Sequence, residues 1–274
     1  MNESRSDQIT LDTRIIGGVV IVVLLLAFLA LYIFPAHTDQ NFAWTILPLT
    51  SPILMGAGYL AGAYFFARVV TGDKWHRVQA GFWAITAFTV VMFAATLLHL
   101  DRFHHGTFHY YAWTGLYAVT PLLVPFMWWR NHATASSELE ENDLRYPSLV
   151  RWIVGIGALI GVLMFVVVFI QPSLLISAAP WKLTPLTARV FAGWTILTLM
   201  AVMMCAYDGR WSGTRVLLQS ATIGMGLTLL AIPRMWPDFD KSMPMTYVFV
   251  GALTVALIAF IIIHIWLDRL SQRR

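Results

Sequence analysis

Four of the chain's eight histidines, His99, His104, His105 and His109, crowd into one short stretch, with Asp101 and Arg102 among them. Imidazole nitrogens and a carboxylate at such spacing are the donor types of a Zn, Cu or other transition-metal site. A pair of the imidazoles could equally carry haem. The metal set expected from the sequence is therefore His99, Asp101, His104, His105 and His109, at the centre of a membrane redox or metal-dependent enzyme. The plainer alternative is a polar loop of interfacial histidines, since no ordered spacing such as His-Glu-x-x-His occurs.

A second group is cationic. Lys182 and Arg189 flank Pro185, and Arg234 follows Pro233. With Trp44 and Trp181 as apolar walls, these three side chains outline a site for a small anionic or amphipathic ligand: a carboxylate, a phosphate or a lipid headgroup. The alternative for each cation singly is a membrane anchor whose stem lies along apolar surface. Other chemistry is thinly represented. Cys205 is the only cysteine, so an intrachain disulfide and a Cys-based metal site are excluded. There is no Walker A loop, no Gly-x-Ser-x-Gly elbow and no pair of catalytic carboxylates. His264 near the end of the last apolar run reads as a packing histidine. No Asp, Glu or Lys lies at mid-depth of an apolar run, which weighs against a carboxylate proton relay.

The elements that position these residues must be helices in lipid. The chain is 58% hydrophobic and 12% charged, with a mean hydropathy of +0.69. A soluble domain carries about 25% charged residues, so the bilayer is the expected partner of this surface. A spanning helix needs about 20 apolar residues. Eight stretches meet that length, at 15–34, 52–71, 78–100, 109–129, 151–171, 187–206, 215–235 and 246–267. Their continuity argues for helices over a β-barrel. The predicted fold is thus an all-α integral membrane protein of eight transmembrane helices. Thirteen of the 18 Lys and Arg fall on one side if the N-terminus is cytoplasmic, which predicts both termini inside the cell membrane. The basic balance is then a topology signal, and no basic stripe suggests nucleic acid.

The halves repeat. Between Arg14 and Leu60, 13 of 47 residues are identical to those 137 positions later, among them Arg14/Arg151, Pro35/Pro172, Trp44/Trp181 and Gly56/Gly193. The tripeptide Pro48-Leu49-Thr50 recurs at Pro185-Leu186-Thr187. Rare residues shared at one offset predict two parallel four-helix repeats, 14–130 and 151–274. They follow a polar cytoplasmic tail, 1–13, and are joined by an acidic cytoplasmic linker, 131–150, that reads as a solvated face. The Pro-Leu-Thr motif should start two helices at the outer surface, with Ser51 and Thr184 as N-caps and free N–H groups facing out. Most tryptophans, Trp44, Trp75 and Trp211 among them, are expected in interfacial belts. Pro121, Pro125 and Pro233 should kink their helices, the fourth helix most of all. The function classes this supports are a binder or transporter of a small amphipathic or anionic ligand in an outer cleft between the repeats, the redox or metal enzyme above, and a structural or assembly subunit.

Overall fold

In a computed structural model, residues 6–135, 140 and 143–273 are described. Their regular structure is helical, apart from two isolated β-bridges. Eight of these helices are 18 residues or longer: α1 (Leu11–Phe28, continued by a π-helical turn Leu29–Ile33), α2 (Thr50–Thr71), α3 (Gln79–Leu98), α4 (Phe108–His132), α5 (Ser148–Ile170), α6 (Pro185–Asp208), α7 (Trp211–Leu230) and α8 (Pro244–Gln272). Six are long and apolar enough to cross a membrane, and a seventh span is gained if α7 and the bent segment Ile232–Asp238 count as one. The helix outside that set is α4, which carries polar and aromatic residues as well as two internal prolines.

Packing is pairwise. α1 lies along α2 and α5 along α6; α3 packs on α4 and α6, α2 on α7, and α7 on α8. The outward faces of α5 and α8 stay apolar and exposed, as with Ile153, Leu163, Val255 and Ile262. The helix ends at Leu11, Thr71, Gln79, His132, Ser148, Asp208, Trp211 and Gln272 gather on one side, here the terminal face. Residues 6–10 are no loose tail. Asp7 and Ile9 are buried, and Gln8 forms a β-bridge with Lys74 in the α2–α3 turn. Arg145, the match of Gln8 in the second half, bridges Arg210 in the α6–α7 turn.

The two aligned arginines have a shared task. Arg14 Nη1 donates to Val70 O at 2.7 Å, in the last turn of α2. Arg151 Nη2 donates to Tyr207 O in the last turn of α6, and its Nε donates to Ala206 O at 2.8 Å. Cations there satisfy carbonyls that have no partner within the helix and oppose the negative end of its dipole. Glycine also acts as the motif needs it. A Cβ on Gly56 would lie 2.7 Å from the backbone N of Tyr32, and a Cβ on Gly58 would lie 2.7 Å from the Trp194 ring. On α5, Gly161 faces Leu199 whereas Gly157 meets nothing within 4 Å.

Three expectations are corrected. First, α4 runs unbroken through Pro121 and Pro125. The Thr120 hydroxyl bonds back to Leu116 O at 2.8 Å, and Trp113 Nε1 ties the helix to Thr96 Oγ1 on α3 at 2.9 Å. Packing along α3 holds α4 helical through the two prolines, whose freed carbonyls are those of Tyr117 and Pro121. The bend instead follows α7, 52° at Ala231, where Pro233 sits in the first turn of a new helix and its missing N–H is not needed. Second, Trp44, Trp75 and Trp211 are buried in core clusters, while Trp129, Trp152 and Trp266 are exposed as an interfacial belt requires. Third, the acidic linker is not simply a solvated face. Glu138 and Glu141 lie outside the described residues, but Glu140 and Asp143 are spent on bonds described below.

Candidate functional site

On the side opposite the terminal face, the two motif turns meet. Leu47, Pro48 and Leu49 at the start of α2 and Lys182, Leu183 and Thr184 at the start of α6 line an open groove of about 510 Å³, with Asp238 from the segment after α7 as its seventh wall residue. The two motifs start their helices differently. Thr184 caps α6 locally, its Oγ1 accepting from Thr187 N at 3.2 Å. Leu47, the match of Thr184 in the first half, has no side-chain oxygen to offer. Asp238 replaces it from across the molecule: its Oδ2 accepts from Thr50 N at 2.8 Å and from Thr50 Oγ1 at 2.9 Å. The expected cap at Ser51 is therefore corrected; the Ser51 hydroxyl accepts from Trp181 Nε1 at 3.2 Å instead. Nor are the N–H groups of Thr50 and Thr187 free, because each has a partner.

Asp101 stands 137 positions before Asp238 but has a different role: it is largely exposed, and among the described residues it pairs with its neighbour Arg102, at 3.0 Å. With Thr184 in place, α6 needs no carboxylate from Asp101.

The expected cations separate. Arg189 Nε donates to Phe169 O at 3.0 Å, with its guanidinium 5.8 Å from the Phe169 ring centroid, and Nη1 donates to His99 Nε2 at 2.7 Å. Arg234 Nη1 donates to Tyr32 O at 2.9 Å and lies 5.7 Å from the Tyr32 ring centroid. Tyr32 and Phe169 match at the repeat offset, at the ends of the π-turn after α1 and of α5. Both arginines thus close helix C-termini. Lys182 alone lines the groove, exposed and without an ion pair among the described residues. Trp44 is buried beside Phe42, Phe103 and Trp113, and Trp181 packs on Phe191, Phe239 and Phe249; neither lines the groove.

The histidines disperse too. His104 Nδ1 donates to Phe42 O at 3.3 Å while its Nε2 meets Thr45 Oγ1 at 3.1 Å, which pins the α3–α4 loop to the segment before α2. His105 Nε2 donates to Leu100 O at 2.7 Å, and His109 packs against the Phe108 ring. His99 must accept at Nε2 from Arg189, so it is neutral there. Burial, and then the charge of Arg189, hold it below the ordinary imidazole value. Among the described residues no three His, Cys, Asp or Glu side chains form a group that could hold a metal ion. Here His99, Asp101, His104, His105 and His109 do not come together: the first four contact Arg189, Arg102, Phe42 with Thr45, and Leu100 respectively, and His109 meets the Phe108 ring.

The terminal face holds polar groups that sequence reasoning missed. Buried His76 packs Nδ1 against Asp7 Oδ2, and its Nε2 is 3.1 Å from Glu140 Oε1, off the hydrogen-bonding direction. Arg77 grips Glu140 with Nε at 2.9 Å and Nη2 at 2.6 Å. Burial pushes the Glu140 carboxyl up, but the Arg77 bonds outweigh it and hold it below its ordinary value. Deeper in, Tyr64 OH donates to Gln219 Oε1 at 2.7 Å, and His264 Nε2 lies 3.4 Å from both Gln219 Nε2 and Asp268 Oδ2. Only the sequence separation hid these contacts; the residue types are ordinary.

With fold and geometry in hand, the apolar helices are those expected of a multi-pass membrane protein. Comparison with protein-family models, with curated proteins and with solved structures finds no match.

Proposed function

We propose that the protein binds a small amphipathic anion in the groove between the two Pro-Leu-Thr turns. The carrying observation is the groove's make-up: four apolar residues, Leu47, Pro48, Leu49 and Leu183, around one cation, Lys182, that has no ion pair among the described residues, with the second charge, Asp238, already engaged by Thr50. An alkyl chain would lie on the leucines and an anionic head on the ammonium. Arg189 and Arg234 support the site only by closing the neighbouring helices.

The reading includes eight spans in two parallel repeats with both termini cytoplasmic, so that the groove faces outward. In support, α4 pairs with α3, the Arg14/Arg151 bonds and the pairings α1–α2 and α5–α6 recur at matching positions, and the two β-bridges match at Gln8/Arg145 and fall one residue apart at Lys74/Arg210. Native mass spectrometry from neutral detergent with oleate as probe tests the binding. The wild type should retain oleate and not oleylamine, and Lys182→Glu should lose it. Equal oleate retention by both proteins would end the proposal.

A further inference from the structure

On the terminal face, between α2, α7 and α8, lies a cavity of about 110 Å³ walled by charged and polar side chains. The matching position between α3, α4 and α6 is lined differently. Taking residues 137 positions apart, Asp268, His264 and Gln219 correspond to Asn131, Met127 and Phe82, and Tyr64 and Arg68 correspond to Ala201 and Cys205. There, Phe82 and Met127 are buried in an apolar cluster with Trp75 and Val78, and Asn131 is fully buried and bonded to Thr13, Thr10 and Met127 O. The matching position is thus filled by apolar side chains and one neutral amide, where this cavity carries ionisable groups. Packing does not require the polar version, and the less exposed charge here, Asp268, is held by Trp211 and Arg215.

The balance of donors and acceptors says what the use is. Every carboxylate on the wall is already supplied. Both Glu140 oxygens accept from Arg77. Asp143 Oδ1 accepts from Leu144 N and Ser212 N, at 2.9 and 3.0 Å, and its Oδ2 from Ser212 Oγ at 2.5 Å. Asp268 Oδ1 accepts from Trp211 Nε1 and its Oδ2 from Arg215 Nη2, both at 2.9 Å. The guanidinium groups are not used up. Arg215 spends one nitrogen on Asp268, and Arg68 makes no ion pair among the described residues. A guanidinium carries five N–H donors in a planar fork suited to oxyanions. The spare capacity of the cavity is therefore positive and donating.

We propose that this cavity is a second binding site, for a phosphate-type oxyanion gripped by Arg68 and Arg215, with Gln219 at its deep end. The anion is either free phosphate or the headgroup of a lipid in the adjoining leaflet. The site is independent of the groove reading, since it lies at the other end of the bundle and shares no residue with it.

The test uses the full chain, purified and delipidated in neutral detergent. Thermal unfolding is followed with inorganic phosphate at constant ionic strength, and phosphatidic acid retention by native mass spectrometry. Arg68 is exposed and has no ion pair among the described residues, so Arg68→Gln should melt like the wild type without ligand, which certifies its fold. If free phosphate is the ligand, it raises the melting temperature of the wild type, and the apparent affinity falls roughly tenfold or more in Arg68→Gln and Arg215→Gln, as the loss of charge-assisted hydrogen bonds implies. If a headgroup is the ligand, phosphate has little effect while phosphatidic acid is retained by the wild type and lost by both variants. Should neither probe bind, or should both bind the variants as they bind the wild type, the site is refuted.

Discussion

Replacing Asp238 by Ala should destabilise the protein far more than replacing Asp101, although the two aspartates match at the repeat offset. The Asp238 carboxylate takes two hydrogen bonds from Thr50, which is fully buried at the start of α2. Loss of an N-cap alone costs about 0.5–2 kcal/mol. Here the donors left behind are buried, and an unsatisfied buried donor costs about 1–3 kcal/mol. Taking the two together, and allowing that they overlap, Asp238→Ala should cost about 2–4 kcal/mol. Asp101 is about 69% exposed and among the described residues pairs with the equally exposed Arg102, so Asp101→Ala should cost less than about 1 kcal/mol. Asp238→Asn, which keeps one acceptor oxygen, should fall between. The assay is reversible unfolding in mixed micelles with rising SDS, followed by tryptophan fluorescence. Equal losses for Asp238→Ala and Asp101→Ala would refute both the cross-molecule cap and the account of why only one of the matched aspartates is needed.

Other outcomes follow from the same contacts. Gly56→Ala should destabilise the protein in that assay by about 1–3 kcal/mol, because its Cβ would press on the Tyr32 backbone rather than on a movable side chain. Gly157→Ala, with open space around it, should be neutral or stabilise by up to about 1 kcal/mol through helix propensity. Arg189→Gln should raise the titration point of His99, read by NMR on labelled histidine, since one of the two main causes holding it down is removed. The sign for stability follows: a histidine whose value is depressed on folding contributes stability above its unfolded value, and that contribution is lost as pH falls through the folded value. In Arg189→Gln this acid-side loss should shrink. A His99 titration unchanged by Arg189→Gln would argue against the guanidinium–imidazole contact.

The helical class and most element positions were legible because lipid imposes long uninterrupted apolar runs, and because proline and threonine at α6 are local start signals. Thr184 is such a signal, and it caps α6 as its sequence neighbourhood implies. The matching start of α2 was not legible, since its cap arrives from Asp238, far along the chain. Cationic side chains gave a similar lesson. Lys182, Arg189 and Arg234 look like a cluster on paper because each sits near a proline at a predicted outer helix end. The fold sends two of them to the carbonyl ends of α1 and α5, where the unpaired helix oxygens are. Histidine spacing misled for the same reason, because His99 and His104 find partners on other segments before they find one another. The contrast of Gln219, His264 and Asp268 with Phe82, Met127 and the neutral Asn131 is likewise set by packing, since what surrounds each set is fixed by helices far apart in sequence.

Binding of an amphipathic anion in the groove can be read by photolabelling with a diazirine-bearing fatty acid, followed by peptide mapping. Label should concentrate on the segments around Leu47–Leu49 and Leu183, be competed away by oleate and be lost in Lys182→Glu. Label spread over the exposed faces of α5 and α8, indifferent to Lys182 and to competing oleate, would mean that the fatty acid sees only the lipid-facing surface, and would contradict it.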